Sequence, residues 1–243
     1  MGYSINDVNI QKIPWLQNDY LEEDPAKPKI YIGSWSIPKR KIMDPLIQFL
    51  KSKSVDITLP PRESHNYSLT YLALITILLM LSRPFEFEDM EFFSGLDSKG
   101  TSICQKVKSK KGKELFMIRD IPEQFIPLYQ KCLTNCLSDY SEGKIWCLRD
   151  ENGNRLPFSI KEEFSHCLNL ISLGDYYIRP YGLRHLGRTL HRDLGLSESF
   201  IDLKMNHDSL GRERLNLSRV SYVNYPKQNQ EIMRKIIKEL RMD

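Results

Sequence analysis

Three separated stretches of this chain carry residue types that could do chemistry on a phosphate. Tyr181-Gly-Leu-Arg184-His185-Leu-Gly-Arg188 sets an arginine and a histidine side by side in a basic, aromatic-flanked setting. Arg83 stands in Leu81-Ser-Arg-Pro-Phe-Glu86 at the end of a strongly apolar run, and a C-terminal stretch carries His207 and then Tyr222. A guanidinium offers planar, paired N–H donors that match a phosphate's oxygens, and two of them beside a histidine suit an oxyanion. The order predicts that the three stretches meet at one phosphate. Glu86, three residues after Arg83, is placed to orient that guanidinium, although a purely structural Arg/Glu pair fits the same spacing.

Stepping outward, each stretch needs an element to hold it. Ser68 to Ser82 is apolar almost all round, which predicts a helix buried on most sides that delivers Arg83 close to the core. Leu183 to Leu194 reads as a helix beginning near Arg184, and a helix start favours an anion. Ser197 or Ser199 opens the next helix, which ends at Met205-Asn206; Asn can take the left-handed turn that closes a helix, so His207 would project just beyond it. Ile103 to Val107 and Leu115 to Ile118 flank a Gly-containing turn and predict a β-hairpin with Lys108, Lys110, Lys111 and Lys113 at its tip.

The remaining pattern is ordinary. Ile42, Leu46, Ile47 and Leu50 have amphipathic-helix spacing, Pro60 and Pro61 break the chain, and Pro122 to Tyr140 is helical with Cys132 and Cys136 inward. Trp146 to Pro157 reads as a strand, an Asn-Gly turn and a second short segment. Ser159 caps a helix to Leu173 that Gly174 closes. Residues 1 to 40 are interrupted by Pro14, Pro25, Pro28 and Pro38 and read as an extended arm with one short strand at Lys29 to Gly33. The expected division is an arm over 1–40, a main domain over 41–226, and an amphipathic helix over 227–243 with Ile232, Ile236, Ile237 and Leu240 on one face. The fold class expected is α+β, mainly helical with a small antiparallel sheet.

Composition narrows the function less than charge placement does. The 243 residues hold 35 Lys+Arg against 31 Asp+Glu, too even a balance to identify a nucleic-acid binder by itself. Lys99 to Arg119, however, holds seven cations against one acid, and Arg179 to Arg219 eight against five, which suggests one positive face. Cys104, Cys132, Cys136, Cys147 and Cys167 form no CxxC pair and read as reduced core thiols, without a zinc site or a disulfide framework. There is no Gly-rich phosphate loop, no GxSxG elbow and no signal-peptide pattern, and His191 lacks a metal-site partner.

These boxes, in this order, resemble the catalytic domain of the tyrosine recombinase (phage integrase) family. Arg83-Pro-Phe-Glu86 is similar to the family's first arginine box, with Leu81-Ser82 in place of its usual Gly-Leu. Ser109 to Lys113 resembles the hairpin that bears the catalytic lysine, and Leu148 to Pro157 the turn segment that follows. Tyr181-Gly-Leu-Arg184-His185 resembles His-x-Leu-Arg-His, with tyrosine in the leading position. Met205-Asn206-His207 stands where Leu-Gly-His is usual, and Ser221-Tyr222-Val-Asn224 is similar to the segment around the nucleophile. The resemblance covers roughly residues 42 to 226. The interval from His207 to Tyr222 is longer than is common in the family, and residues 1 to 40 are too short for its usual DNA-clamping domain.

The resemblance implies site-specific cleavage and rejoining of double-stranded DNA through a 3′-phosphotyrosyl bond, with no metal, cofactor or ATP. Tyr222 would be the nucleophile, with Tyr225 the alternative. Arg83, Arg184 and His207 would stabilise the phosphate, Lys110 would protonate the leaving 5′-oxygen, and Tyr181 would stand near the phosphate as a hydroxyl. Glu86 and His185 would support the site, and Lys108, Lys111, Lys113 and Arg188 would touch DNA. It further implies a monomer in solution that assembles on DNA as a homo-oligomer, a tetramer in synapsis, in the cytoplasm at the nucleoid and not at a membrane. The other reading of the same boxes is a DNA-binding or regulatory protein that keeps the fold without catalysis. In the family a terminal helix docks either on its own domain or on a neighbouring protomer, so the 227–243 stripe has two readings.

Overall fold

A computed structural model describes residues 38–91, 102–107, 115–205 and 219–243, with the side chains at 104, 107, 115, 116 and 219–226 left out. The expected arm, the Lys29 to Gly33 strand, the hairpin tip and His207 lie outside the described residues. The described residues are mainly helical, with two small antiparallel two-stranded sheets.

The organising element is α2 (Pro61–Leu79), which packs against α1 (Arg40–Val55), α4 (Ile126–Leu137), α5 (Ile160–Leu170), α6 (Pro180–Asp193) and β3 (Cys147–Arg149). Pro60 and Pro61 do not interrupt the chain so much as start this helix: Pro61 is its first residue, where a missing N–H costs nothing and the fixed φ is already helical. Every residue from Ser68 to Ser82 is buried, as the all-round apolar pattern predicts. The two threonines inside that run satisfy their hydroxyls on the preceding turn, Thr70 on the carbonyl of Asn66 at 2.9 Å and Thr76 on that of Leu72 at 2.8 Å.

The helix then stops on a left-handed residue. Leu81 has φ 56, and the Ser82 N–H bonds back to the Thr76 carbonyl at 3.3 Å. Arg83 follows as the cap of the short α3 (Pro84–Glu88). β1 (Ser102–Val107) and β2 (Leu115–Asp120) pair antiparallel, from Ser102 with Asp120 to Val107 with Leu115. β3 pairs with β4 (Arg155–Pro157) across a turn in which Asp150 Oδ1 accepts the N–H of Asn152 at 2.8 Å.

Several boundaries differ from the sequence reading for identifiable reasons. Ser159 caps α5 as expected, accepting the Glu162 N–H, but the left-handed terminator is Ser172 at φ 60, and not Gly174. α6 begins at Pro180, three residues before the expected Leu183, because proline at a first helical position initiates where a proline-glycine cluster would otherwise suggest a loop. α7 (Glu198–Lys204) is capped by Ser197. α8 (Arg219–Glu239) begins well before residue 227 and takes Tyr222 and Tyr225 into its first turns.

The apolar stripe of α8 packs on its own domain: Ile232, Met233, Ile236, Ile237 and Leu240 are all buried. Its far end is pinned by Tyr71, whose hydroxyl donates to the Met242 carbonyl at 2.6 Å, and by Gln48, which donates to that of Arg241 at 3.0 Å. No helix among the described residues is long and apolar enough to cross a membrane.

Candidate active site

Two helix ends, of α2 and α7, converge with the start of α3 and the inner face of the β1–β2 hairpin. Alternation along β2 leaves Ile118 exposed and turns Arg119 inward. There Arg119 Nη2 reaches Glu86 at 2.9 Å, its Nε reaches Gln105 Oε1 at 3.0 Å, and its Nη1 donates to the carbonyls of both Met80 and Lys204. Ser82 Oγ donates to the same Gln105 oxygen at 2.7 Å, and the Gln105 amide returns a bond to the Glu86 carbonyl at 3.3 Å.

Arg184 makes the parallel arrangement one residue further along each chain end. Its Nε donates to the Leu81 carbonyl at 2.7 Å and its Nη2 to that of Met205. Arg119 thus holds Met80 with Lys204, and Arg184 holds Leu81 with Met205. Helix C-termini present unsatisfied carbonyls and partial negative charge, which two buried guanidiniums satisfy. The left-handed Leu81 helps present its carbonyl to Arg184.

Arg83 joins them through Glu86. The carboxylate accepts the Arg83 backbone N–H at 2.8 Å and Arg83 Nη1 at 3.0 Å, besides Arg119. The Arg83–Glu86 pairing expected from the spacing is therefore present, and its carboxylate is shared with a second arginine. Arg83 Nε and Nη2 and Arg184 Nη1 have no hydrogen-bond partner among the described residues. Arg83 and Arg119 pair with the one carboxylate of Glu86 and Arg184 stands beside them on backbone carbonyls, so among the described residues positive charge is in excess. The excess is felt by Arg184, which burial, and then the neighbouring Arg83, push down to about 9; Arg119 adds to the push and Glu86 opposes it. At that value it is still cationic at neutral pH.

Arg184 does not sit at a helix start as expected; with Pro180 opening α6 it lies a full turn in, and its role comes from its partners, not from the helix dipole. Tyr181, in the first turn, is 41% exposed and close enough to Arg184 to influence its charge. His185 is half-buried. Arg188, expected to touch DNA, is drawn into the protein by Glu198 at 2.8 Å and Asp202 at 3.8 Å, tying α6 to α7. Lys108, Lys110, Lys111, Lys113 and His207 lie outside the described residues, and Tyr222 and Tyr225 are placed only by their backbone on α8.

Sequence reasoning missed Arg119 and Lys204. Lys204 is wholly buried at the end of α7, donating to His191 Nε2 at 2.8 Å and Asn229 Oδ1 at 2.6 Å, so that α6, α7 and α8 join at one ammonium. Burial, with Arg119 nearby, holds Lys204 well below its ordinary range; burial, with Lys204 beside it, does the same to His191, whose Nδ1 bonds the Gly187 carbonyl at 2.7 Å. Strand alternation is the signal that could have turned Arg119 inward. Compared with known families, curated proteins and solved structures, the chain finds no match.

Proposed function

We propose that the protein cleaves and rejoins double-stranded DNA at specific sites, as a tyrosine recombinase does, through a 3′-phosphotyrosyl intermediate. The observation that carries this reading is the cluster in which Arg83 and Arg119 share the Glu86 carboxylate while Arg184 is held beside them on the Leu81 and Met205 carbonyls, which leaves Arg83 Nε and Nη2 and Arg184 Nη1 as donors for a phosphate. A second feature agrees: the position where the resembling family has glycine before its first arginine is occupied by Leu81 in the left-handed conformation that glycine adopts most readily.

The chemistry follows from these residue types. Tyr222 Oη attacks the phosphorus, the bond to the 5′-oxygen breaks, and the leaving oxygen takes a proton from Lys110. Arg83, Arg184 and His207 bind the non-bridging oxygens, where charge grows in the transition state. The 5′-hydroxyl of a second strand then displaces the tyrosine, so the bond energy is conserved and no nucleotide hydrolysis is needed. Four copies assembled on two duplexes would supply one tyrosine to each strand.

Arg184 already gives two of its nitrogens to backbone carbonyls, which favours a second reading, DNA binding without cleavage. The experiment that separates the two uses the full chain with a duplex selected for binding from a random-sequence library, then nicked close to the candidate cleavage position so that a short fragment diffuses away. An SDS-resistant protein–DNA adduct supports cleavage. Salt-sensitive binding with no adduct supports the second reading, and no binding at low salt removes both.

A further inference from the structure

Away from the arginine cluster, three soft donor atoms face one point in the core. His65 lies in the second turn of α2, Cys136 near the end of α4 and Cys147 at the start of β3, all three buried. Cys136 Sγ is 4.0 Å from Cys147 Sγ and 3.8 Å from His65 Nε2, and all three donor atoms lie within 4.8 Å of one another. With metal–sulfur and metal–nitrogen bonds of about 2.3 and 2.0 Å, a trigonal centre needs about 4.0 Å between sulfurs and about 3.7 Å from sulfur to nitrogen. A tetrahedral centre needs about 3.8 and about 3.5 Å by the same bond lengths. The observed 4.0 and 3.8 Å lie nearer the trigonal pair of values than the tetrahedral one.

We propose that His65, Cys136 and Cys147 form a buried three-coordinate site for a soft d10 cation, copper(I), which clips α2, α4 and β3 together. Three buried ligands, two of them thiols, favour copper(I) over zinc(II), which takes four ligands in structural sites. No further His, Cys, Asp or Glu among the described residues joins the cluster. Two thiolates and one monovalent cation leave a single negative charge, and Arg149 and Arg155 stand close enough to Cys147 to balance it. These arginines also bond the backbone around the site, Arg149 to the Asn135 carbonyl at 2.6 Å and Arg155 to that of Cys136 at 2.5 Å.

Proton bookkeeping is local. Both sulfurs carry protons before the cation binds, Cys147 Sγ–H donating to Cys136 Sγ at 4.0 Å and Cys136 Sγ–H to the Cys147 carbonyl at 3.9 Å. Binding the cation displaces both thiol protons to solvent. His65 Nε2, now 2.9 Å from the Cys147 carbonyl, exchanges its proton for the metal and moves to the Nδ1–H tautomer. Asn135, whose side-chain amide nitrogen is 3.5 Å from Nδ1, then accepts a hydrogen bond from Nδ1–H on its oxygen once the amide turns over.

The test titrates the reduced full chain, without oxygen, with copper(I) held by bicinchoninate, and in parallel with zinc(II) held by a chromophoric chelator. The expected result is one copper(I) withdrawn per chain and a higher urea midpoint. Cys136→Ser and Cys147→Ser should each weaken affinity about 100-fold and His65→Gln about 10-fold or more, while Cys132→Ser matches wild type. X-ray absorption at the copper edge, which needs no variant, should show two sulfurs at about 2.3 Å and one nitrogen at about 2.0 Å. Withdrawal that survives in Cys136→Ser/Cys147→Ser, or none at all, overturns the site. Zinc(II) held as tightly as copper(I) overturns the three-coordinate assignment, as would four ligands in the absorption spectrum.

Discussion

Glu86→Gln removes one charge and almost no volume from the centre of the arginine cluster. The carboxylate accepts three hydrogen bonds, at 2.8, 3.0 and 2.9 Å, from Arg83 N–H, Arg83 Nη1 and Arg119 Nη2. Glutamine keeps one oxygen and turns an NH2 toward a guanidinium. Breaking a buried ion pair by removing one partner costs about 3–5 kcal/mol. Arg83 is only partly covered and can rehydrate, whereas Arg119 cannot, which places the expected loss near the lower bound, about 3 kcal/mol. A total stability of about 5–15 kcal/mol would leave the variant folded, so urea denaturation followed by circular dichroism can measure the change. Phosphate, compared with chloride at equal ionic strength, should then raise the midpoint more in the variant than in wild type, because a bound dianion replaces the missing charge. A loss below about 1 kcal/mol with no phosphate effect would refute the idea that this carboxylate balances a buried positive excess.

Two other outcomes test neighbouring parts of the account. At Gly187 an added Cβ would lie 2.2 Å from the Leu78 carbonyl oxygen, so Gly187→Ala must push α6 off α2; it should cost about 2–3 kcal/mol and weaken DNA binding, while Gly195→Ala, strained only by its φ of 98, should cost about 1 kcal/mol. His191 is neutral in the fold, with its pKa well below 6.5. Unfolded chains bind a proton there below pH 6.5 that the native state refuses, so stability falls as pH drops, by about 1 kcal/mol between pH 6.5 and 5.5, and His191→Gln should flatten that limb of the urea-midpoint profile.

Legibility tracked the range of the interactions involved. The buried helix α2 was legible because its apolar pattern from Ser68 to Ser82 is a local property, and Arg83 with Glu86 because they are neighbours across one turn. The start of α6 was misread because Pro180 and Gly182 are turn residues in one context and ordinary first-turn residues in another. Arg119 was missed because its partners lie as far away as Met80 and Lys204, and no short motif contains them. The same holds for His65, whose partner Cys147 is 82 residues along the chain, so that cysteine spacing alone suggested only core thiols. Arg188 is a further case of long-range pairing: its ion pairs with Glu198 and Asp202 join α6 to α7, and the basic motif around it discloses neither partner.

In the proposed reaction a tyrosine on α8 becomes covalently joined to DNA. Its most direct measurement is mass spectrometry of the trapped adduct after nuclease and protease digestion. The expected product is a nucleotide 3′-phosphate on Tyr222, with the adduct lost in Tyr222→Phe and retained in Tyr225→Phe. Attachment at Tyr225 would move the nucleophile by one turn of α8. A nucleic-acid complex that binds tightly, yet carries no phosphotyrosyl bond under any trapping condition, would contradict the account.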